Sequence, residues 1–207
     1  MNIDEIKDEL IKYGKMLFVR GLSPSTSGNI SARWGDGCII TATGTCLGDL
    51  TREDLVLIDN TGNLVEGTKK PSSEKFLHIE IYNTRNDINA VAHTHPPFST
   101  GFAVAGQDMD IPITPEFVYY FGKIPVAKYA PPGSIELVQY TAEMIKNANA
   151  ALMANHGLIV CAENIKTTFY YTDTIETTAQ IYLNASKLGN VVTLSNDDIE
   201  VINNMKR

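Results

Sequence analysis

The segment INAVAHTH, from Ile88 to His95, constrains this chain more than any other. Ile88, Ala90, Val91 and Ala92 form an apolar run that reads as a buried strand, and two histidines at i and i+2 follow it. Alternate residues of a strand project to the same side, so His93 and His95 can close on one metal ion. A third histidine, His156 in MANHGLI, lies between Asn155 and Gly157 at the end of another apolar run, where a tight turn exposes its ring. Three neutral imidazoles leave the fourth position of zinc free for water or substrate, the arrangement of a catalytic site rather than a structural one. A lone strand histidine is more often a packed core residue, and a His-x-His pair also arises by chance. The third histidine carries the reading, which predicts a metalloenzyme. His78 lies mid-helix after Phe76 and Leu77 and reads as a surface or packing histidine outside the site.

Composition narrows the setting. At 207 residues and 43% hydrophobic, the chain can bury a substantial core, and a single domain over 1–207 is expected. No run approaches the roughly 18 apolar residues of a membrane span. The acidic, amphipathic start MNIDEIKDEL lacks the basic opening and apolar centre of a signal peptide. Cys38, Cys46 and Cys161 are odd in number and show no Cys-x-x-Cys spacing, so no disulfide framework is expected and the cytoplasm is the natural compartment. A net charge of −7 argues against nucleic acid and acidic membrane surfaces as partners. If the substrate is an anion, local donors must overcome that global repulsion.

Periodicity places the motifs on elements. Ile3, Ile6, Leu10 and Leu17 recur at helical spacing, and Gly21 ends that helix. Short strands follow in SGNISAR, GCIITATGT and DLVLIDNTGNLVEG, the last with a hairpin at Asn60–Asn63. Pro71-Ser72-Ser73 opens a helix to about Arg85; a further helix is expected across Ser99–Ala105, and region 106–134 reads as turn-rich. Ser134 caps a helix to about Asn147, and ALMANHGLIVCA reads as two strand pieces joined at Asn155–Gly157. Asn164 caps a long helix with Ile165, Phe169, Ile175, Ala179, Tyr182 and Leu188 on its apolar stripe and Gly189 as terminator. Ser195 with Asp198 makes a capping box for a last short helix. A sheet covered by helices on both faces is the economical architecture.

Glu74 has two readings. Acidic residues complement the dipole of a helix's first turn, so a glutamate there needs no function. Its neighbours say more: Ser72 and Ser73 offer hydroxyls beside a helix N-terminus, where unpaired N–H groups favour an anion. Thr26-Ser27-Gly28-Asn29 and the Thr41–Thr45 segment, centred on Thr43-Gly44, are built similarly. Glycine lets backbone approach a ligand, while hydroxyls and the Asn amide donate. Each alone is an ordinary turn. Together with Lys69 and Lys70 they suggest a phosphate cradle made largely of dipoles, which answers the charge problem.

SGNIS, TATGT, KPSSE, HTH and NHG, in this order and spacing, resemble the class II aldolase/adducin family, closest to its fuculose-phosphate-aldolase-like branch. The resemblance runs from the first helix to about residue 200. It implies a three-layer α/β/α fold with a mixed, largely antiparallel central sheet, usually assembled as a homotetramer. It also implies Zn2+ on His93, His95 and His156, with Co2+ or Mn2+ as possible occupants, and Glu74 as acid/base. The phosphate site then falls on Gly28, Asn29, Thr43, Gly44, Ser72 and Ser73. The implied reaction is reversible cleavage of a ketose 1-phosphate, L-fuculose 1-phosphate or a related deoxyketose phosphate, to dihydroxyacetone phosphate and an aldehyde. The metal would polarise the substrate carbonyl while Glu74 removes the adjacent proton.

The chain departs from that pattern on the aldehyde side. Those aldolases carry a tyrosine after an Ile-Pro segment; here IPITPEFVYYFG places Glu116 closest to it, with Tyr119 and Tyr120 next. Any of the three is a candidate proton donor, and a carboxylic acid in that role needs a raised pKa. Equally, Glu116 suits a helix cap or solvent and the tyrosines suit packing. The longer aldolase tail, which brings another tyrosine to the site, is absent from an ending in INNMKR. A glutamate at this place also marks methylthioribulose-phosphate dehydratases and aldolases of 5-deoxypentulose phosphates. Ribulose-phosphate 4-epimerases share the zinc site, and adducin-like assembly modules share the fold but lose the ligands present here. A three-histidine hydrolase would not explain the phosphate-type turns.

Overall fold

The strand read from INAVAHTH lies at the centre of the molecule. The computed structural model describes residues 2–205. Among them, β1 (Asn29–Trp34), β2 (Gly37–Thr41), β3 (Leu55–Ile58), β4 (Leu64–Glu66), β5 (Ala90–Thr94), β6 (Val126–Ala127), β7 (Ala150–Met153) and β8 (Gly157–Ala162) form one sheet. Its order is β4-β3-β2-β1-β5-β8-β7-β6, with antiparallel neighbours except the parallel β6–β7 pair. Every residue of β5 is buried. Its register sets His93 opposite Asn29 of β1 and Ile159 of β8.

Side-chain alternation divides the core. Val91 joins Ile40, Val56 and Ile159 against Leu77, Ile81, Leu137 and Ile145, which come from α2 (Lys75–Thr84) and α5 (Ile135–Ile145). Ala90 and Ala92 turn to the other face, with Leu10, Tyr13 and Leu17 of α1 (Ile3–Val19) and Phe169 of α6 (Ile165–Leu188). Further along that face, Leu152, Leu158 and Val160 pack with Phe102 of α3 (Pro97–Ala105), Phe117 of α4 (Pro115–Tyr120) and Ile175 and Ala179 of α6. Helices therefore cover both faces of a largely antiparallel sheet, the expected three-layer α/β/α arrangement. The last helix, α7 (Asn196–Asn204), carries the expected Ser195–Asp198 capping box. The cysteines are free, and among the described residues no helix is long and apolar enough to cross a membrane.

Four local expectations shift. Helix α2 starts at Lys75 rather than Ser72, because Ser72 instead donates its N–H to Thr41 O (3.1 Å), tying the preceding turn to the end of β2. Helix α3 starts at Pro97, where proline's fixed φ suits the first helical position. Region 106–134 holds α4, begun by Thr114 and Pro115, and the short β6. Leu188 is 92% exposed, so the apolar stripe of α6 ends before it.

Helix α3 follows the histidine strand directly, and its start has no side-chain cap of its own. Buried Glu176 of α6 serves instead, accepting from Phe98 N (2.7 Å), Ser99 N (2.8 Å) and Ser99 Oγ (2.8 Å). A carboxylate at a helix N-terminus satisfies orphan donors and complements the dipole. Glu176→Ala is expected to destabilise the protein by about 3 kcal/mol, since hydrogen bonds to a charged group are lost and their donors stranded. Urea unfolding should show a lower midpoint at unchanged slope.

Candidate active site

Antiparallel pairing brings the end of β5, the start of β8 and the start of β1 to one end of the sheet. His93 is the penultimate residue of β5 and 1% exposed; His95 follows the strand, its N–H held by Leu22 O at 3.0 Å. His156 occupies the β7–β8 turn, where Asn155 takes a left-handed φ of 53°. The rings stand 4.7 Å (His93–His95), 4.7 Å (His93–His156) and 5.3 Å (His95–His156) apart between centroids. One ligand nitrogen from each lies within 4.8 Å of the others. Glu74, the N-cap of α2, enters from the α2–α5 face: Oε2 is 3.2 Å from His93 Nε2 and Oε1 is 3.5 Å from His156 Nε2.

The chemistry of this donor set fits a cation. His93 Nδ1–H donates to Leu158 O (3.1 Å), which leaves the Nε2 lone pair facing inward. That atom meets His95 Nε2 at 2.9 Å and the Glu74 carboxylate. Acceptor atoms so crowded need a positive charge among them: one shared proton in the metal-free chain, or one metal ion. Burial, reinforced by the neighbouring His93 and His156, pushes His95 down to about 4, and burial with His93 likewise lowers His156. Both rings are therefore neutral ligands at pH 7. Burial alone would raise the Glu74 carboxyl, but His93, the Asn29 amide, His156 and His78 outweigh it and hold it low. Two buried atoms of the cluster, Glu74 Oε1 and His156 Nδ1, have no hydrogen-bond partner among the described residues, which fits a site that takes a further group.

The three turns singled out in the sequence converge beside this cluster. Asn29 Nδ2 donates to Glu74 Oε2 (2.8 Å), and Ile30 N donates to Thr41 Oγ1 (3.3 Å). Ala42 bridges to Pro71, Thr43 N donates to Lys70 O (2.9 Å), and Ser72 Oγ accepts from Glu74 N (3.2 Å). Gly28 has a φ of +82°, and a β-carbon there would stand 2.8 Å from the His93 carbonyl, so glycine lets this turn lie on the histidine strand. Lys69 is committed to Asp54 at 2.7 Å.

Two contributors escaped the sequence reading. A β-carbon on Gly157 would sit 2.5 Å from His95 Cδ2, 2.6 Å from Thr94 O and 3.2 Å from His93 Cε1, so its bare backbone makes room for two of the rings. Gly157→Ala should therefore weaken metal affinity roughly ten- to a hundredfold, by analogy with the loss of groups that orient ligands. A competitive chelator titration checks it. The other is His78, which is not a surface residue: it is fully buried and hydrogen-bonded to Asn29. Its signal was its spacing, one helical turn after Glu74 on the sheet-facing side.

Glu116, Tyr119 and Tyr120 sit elsewhere on the chain. Glu116, exposed in the first turn of α4, faces a groove of about 300 Å³ lined by Thr114 and by Asp173, Thr174 and Thr178 of α6. Tyr119 and Tyr120 line a second groove with Ile202 and Met205, and their rings pack 5.0 Å apart. The histidines line neither groove.

Comparison with known proteins gives the family and the overall fold. Residues 8–183 match the family described as class II aldolase and adducin N-terminal domain. An L-fuculose phosphate aldolase of Escherichia coli is 37% identical over 185 residues, covering 88% of this chain and 85% of the relative. A 5-deoxy-D-ribulose 1-phosphate aldolase of Bacillus thuringiensis is 34% identical over 203 residues, 97% of this chain and 94% of the relative. A solved L-fuculose 1-phosphate aldolase superposes with a TM-score of 0.89 at 32% identity, covering 99% of this chain and 97% of that one. The chain belongs to the class II aldolase and adducin family. Within it, the chain is an enzyme of the aldolase kind, a lyase that is metal-dependent by family.

Proposed function

We propose that this enzyme reversibly cleaves a deoxyketose 1-phosphate between C3 and C4, giving dihydroxyacetone phosphate and a short aldehyde. The observation that carries the reading is Glu74: a buried carboxylate with one oxygen tethered by Asn29 and the other unpartnered beside three imidazoles. His93, His95 and His156 would hold the metal, proposed as Zn2+. That ion supplies Lewis-acid polarisation of the substrate carbonyl and hydroxyl oxygens. Glu74 takes the proton from the carbon next to the carbonyl in the synthetic direction and returns it in cleavage. Gly28, Asn29, Thr43, Gly44, Ser72 and Ser73 are proposed to hold the phosphate through backbone N–H groups, hydroxyls and an amide, which suits an acidic chain. On the aldehyde side we assign the proton donor to Glu116, Tyr119 or Tyr120. We propose further that the chain assembles as a homotetramer, in which this surface helix of one copy serves the site of a neighbour.

By name, the two relatives above act on L-fuculose phosphate and on 5-deoxy-D-ribulose 1-phosphate, and the solved structure is that of an L-fuculose 1-phosphate aldolase. The experiment is to incubate the zinc-loaded protein with L-fuculose 1-phosphate and with 5-deoxy-D-ribulose 1-phosphate, and to follow dihydroxyacetone phosphate release by a coupled reductase. Release from either supports the proposal; loss of water from the sugar without carbon–carbon cleavage would replace it with a dehydratase.

A further inference from the structure

A buried row of polar residues continues beyond the Asn29–Glu74 contact, and the reaction proposed above gives it no part. On α2 and its N-cap, Glu74, His78 and Tyr82 recur every fourth residue; on β1, Asn29, Ser31 and Arg33 alternate. Four helical residues advance about 6 Å and two strand residues about 6.6 Å, so the two rows stay in step. They interleave. Asn29 lies between Glu74 (2.8 Å) and His78 Nε2 (2.5 Å). Ser31 Oγ lies between His78 Nδ1 (2.7 Å) and the Tyr82 hydroxyl (2.7 Å). Arg33 closes the row, donating to Tyr82 O at 2.9 Å with its guanidinium 4.8 Å over the Tyr82 ring. Ser31 and His78 are fully buried, Tyr82 4% exposed and Asn29 7%.

The direction of donation follows from one end. A carboxylate only accepts, so Asn29 must present its NH2 to Glu74 and its carbonyl to His78. His78 then carries its proton on Nε2 and accepts at Nδ1, so the Ser31 hydroxyl donates to it and accepts from the Tyr82 phenol. Titration agrees: burial first, then the neighbouring His93, pushes His78 down to about 3 against the pull of Glu74, leaving one ring proton near neutrality. Burial, with Cys38 nearby, raises Tyr82 well above the usual phenol range, so that group keeps its proton. Reversing any link would set two donors or two acceptors face to face.

We propose that His78 is a positioning residue: acting through Asn29, it fixes which oxygen of Glu74 stays free to move the substrate proton. Without the His78 donor, the Asn29 amide is held at one end only, and its NH2 can swing out of line with Glu74, so the carboxylate loses a fixed tether. The row thus selects Oε1, the oxygen that Asn29 does not hold and that stands 3.5 Å from His156 Nε2, as the working atom. As far as it concerns the reaction, this inference rests on the sugar-phosphate reading above.

The test has two arms. In the unaltered, metal-free protein, long-range 1H–15N NMR should show His78 as the neutral Nε2–H tautomer; the Nδ1–H tautomer would overturn the proposal. In the zinc-loaded protein, solvent exchange of dihydroxyacetone phosphate protons should fall roughly ten- to a hundredfold in kcat for His78→Leu, with metal content and KM little changed. His78→Gln, whose amide nitrogen can donate to Asn29, should recover most of that rate. Equal losses in both variants, tracking lowered thermal stability, would mean that His78 only packs. If the unaltered protein exchanged no protons, the sugar-phosphate reading would fall, and the tautomer would still decide the row.

Discussion

Glu74→Gln is expected to lower turnover by about 100- to 10,000-fold, the usual contribution of a positioned acid–base group. Metal content should not change. The substitution preserves shape, so Asn29 Nδ2 keeps a carbonyl oxygen to donate to at the position of Oε2. The new amide nitrogen then falls where Oε1 stands, 3.5 Å from His156 Nε2, and puts a donor where the carboxylate offered a lone pair. Because the surroundings hold the Glu74 carboxyl low, its charge is net stabilised in the folded chain, so thermal stability of the metal-free variant should fall somewhat near neutral pH. Steady-state kinetics with metal analysis checks this: a full rate in the variant would assign the proton transfer to another group.

The second large effect is loss of the metal. His93→Ala removes a ring that is 1% exposed and central to the cluster, within 4.7 Å of both other rings. The remaining pair is a poor chelate, so bound metal should drop from stoichiometric to background. Activity should fall by about a thousandfold or more, because Lewis-acid stabilisation is worth several kcal/mol. The fold should survive, since the sheet and helix ladders do not involve the imidazole; Leu158 O, His95 Nε2 and Glu74 Oε2 each lose the ring as a partner. Plasma mass spectrometry and far-UV circular dichroism separate the outcomes. A folded variant that kept stoichiometric metal would contradict the assignment of His93.

Local patterns made most of the fold legible. INAVAHTH announced the central strand because both of its faces are apolar, and Ser134, Asn164 and Ser195 announced helix starts because their side chains cap them. What local pattern misses is tertiary. The start of α2 moved because Ser72 is drawn to β2, and α4 hid in a segment whose turn residues outweighed its Thr-Pro start. The histidines and Glu74 were legible in the same way, from strand alternation and a helix start. His78 and Gly157 were not, because their roles exist only where strands far apart in sequence meet: His78 faces Asn29 and Ser31 of β1, and Gly157 faces the rings of β5 and the residue just beyond it. Glu116 shows a different limit: it is exposed beside a groove that holds none of the histidines, so the sequence resemblance that singled it out has no counterpart in the geometry of one chain.

The central claim is that Glu74 and the three-histidine cluster together exchange a proton next to a substrate carbonyl. It is tested most directly by adding dihydroxyacetone phosphate, without any aldehyde, to the zinc-loaded protein in deuterium oxide and following its C3 protons by NMR. The account predicts stereospecific replacement of one proton by deuterium, absent in Glu74→Gln. No exchange with zinc confirmed on the protein would contradict it.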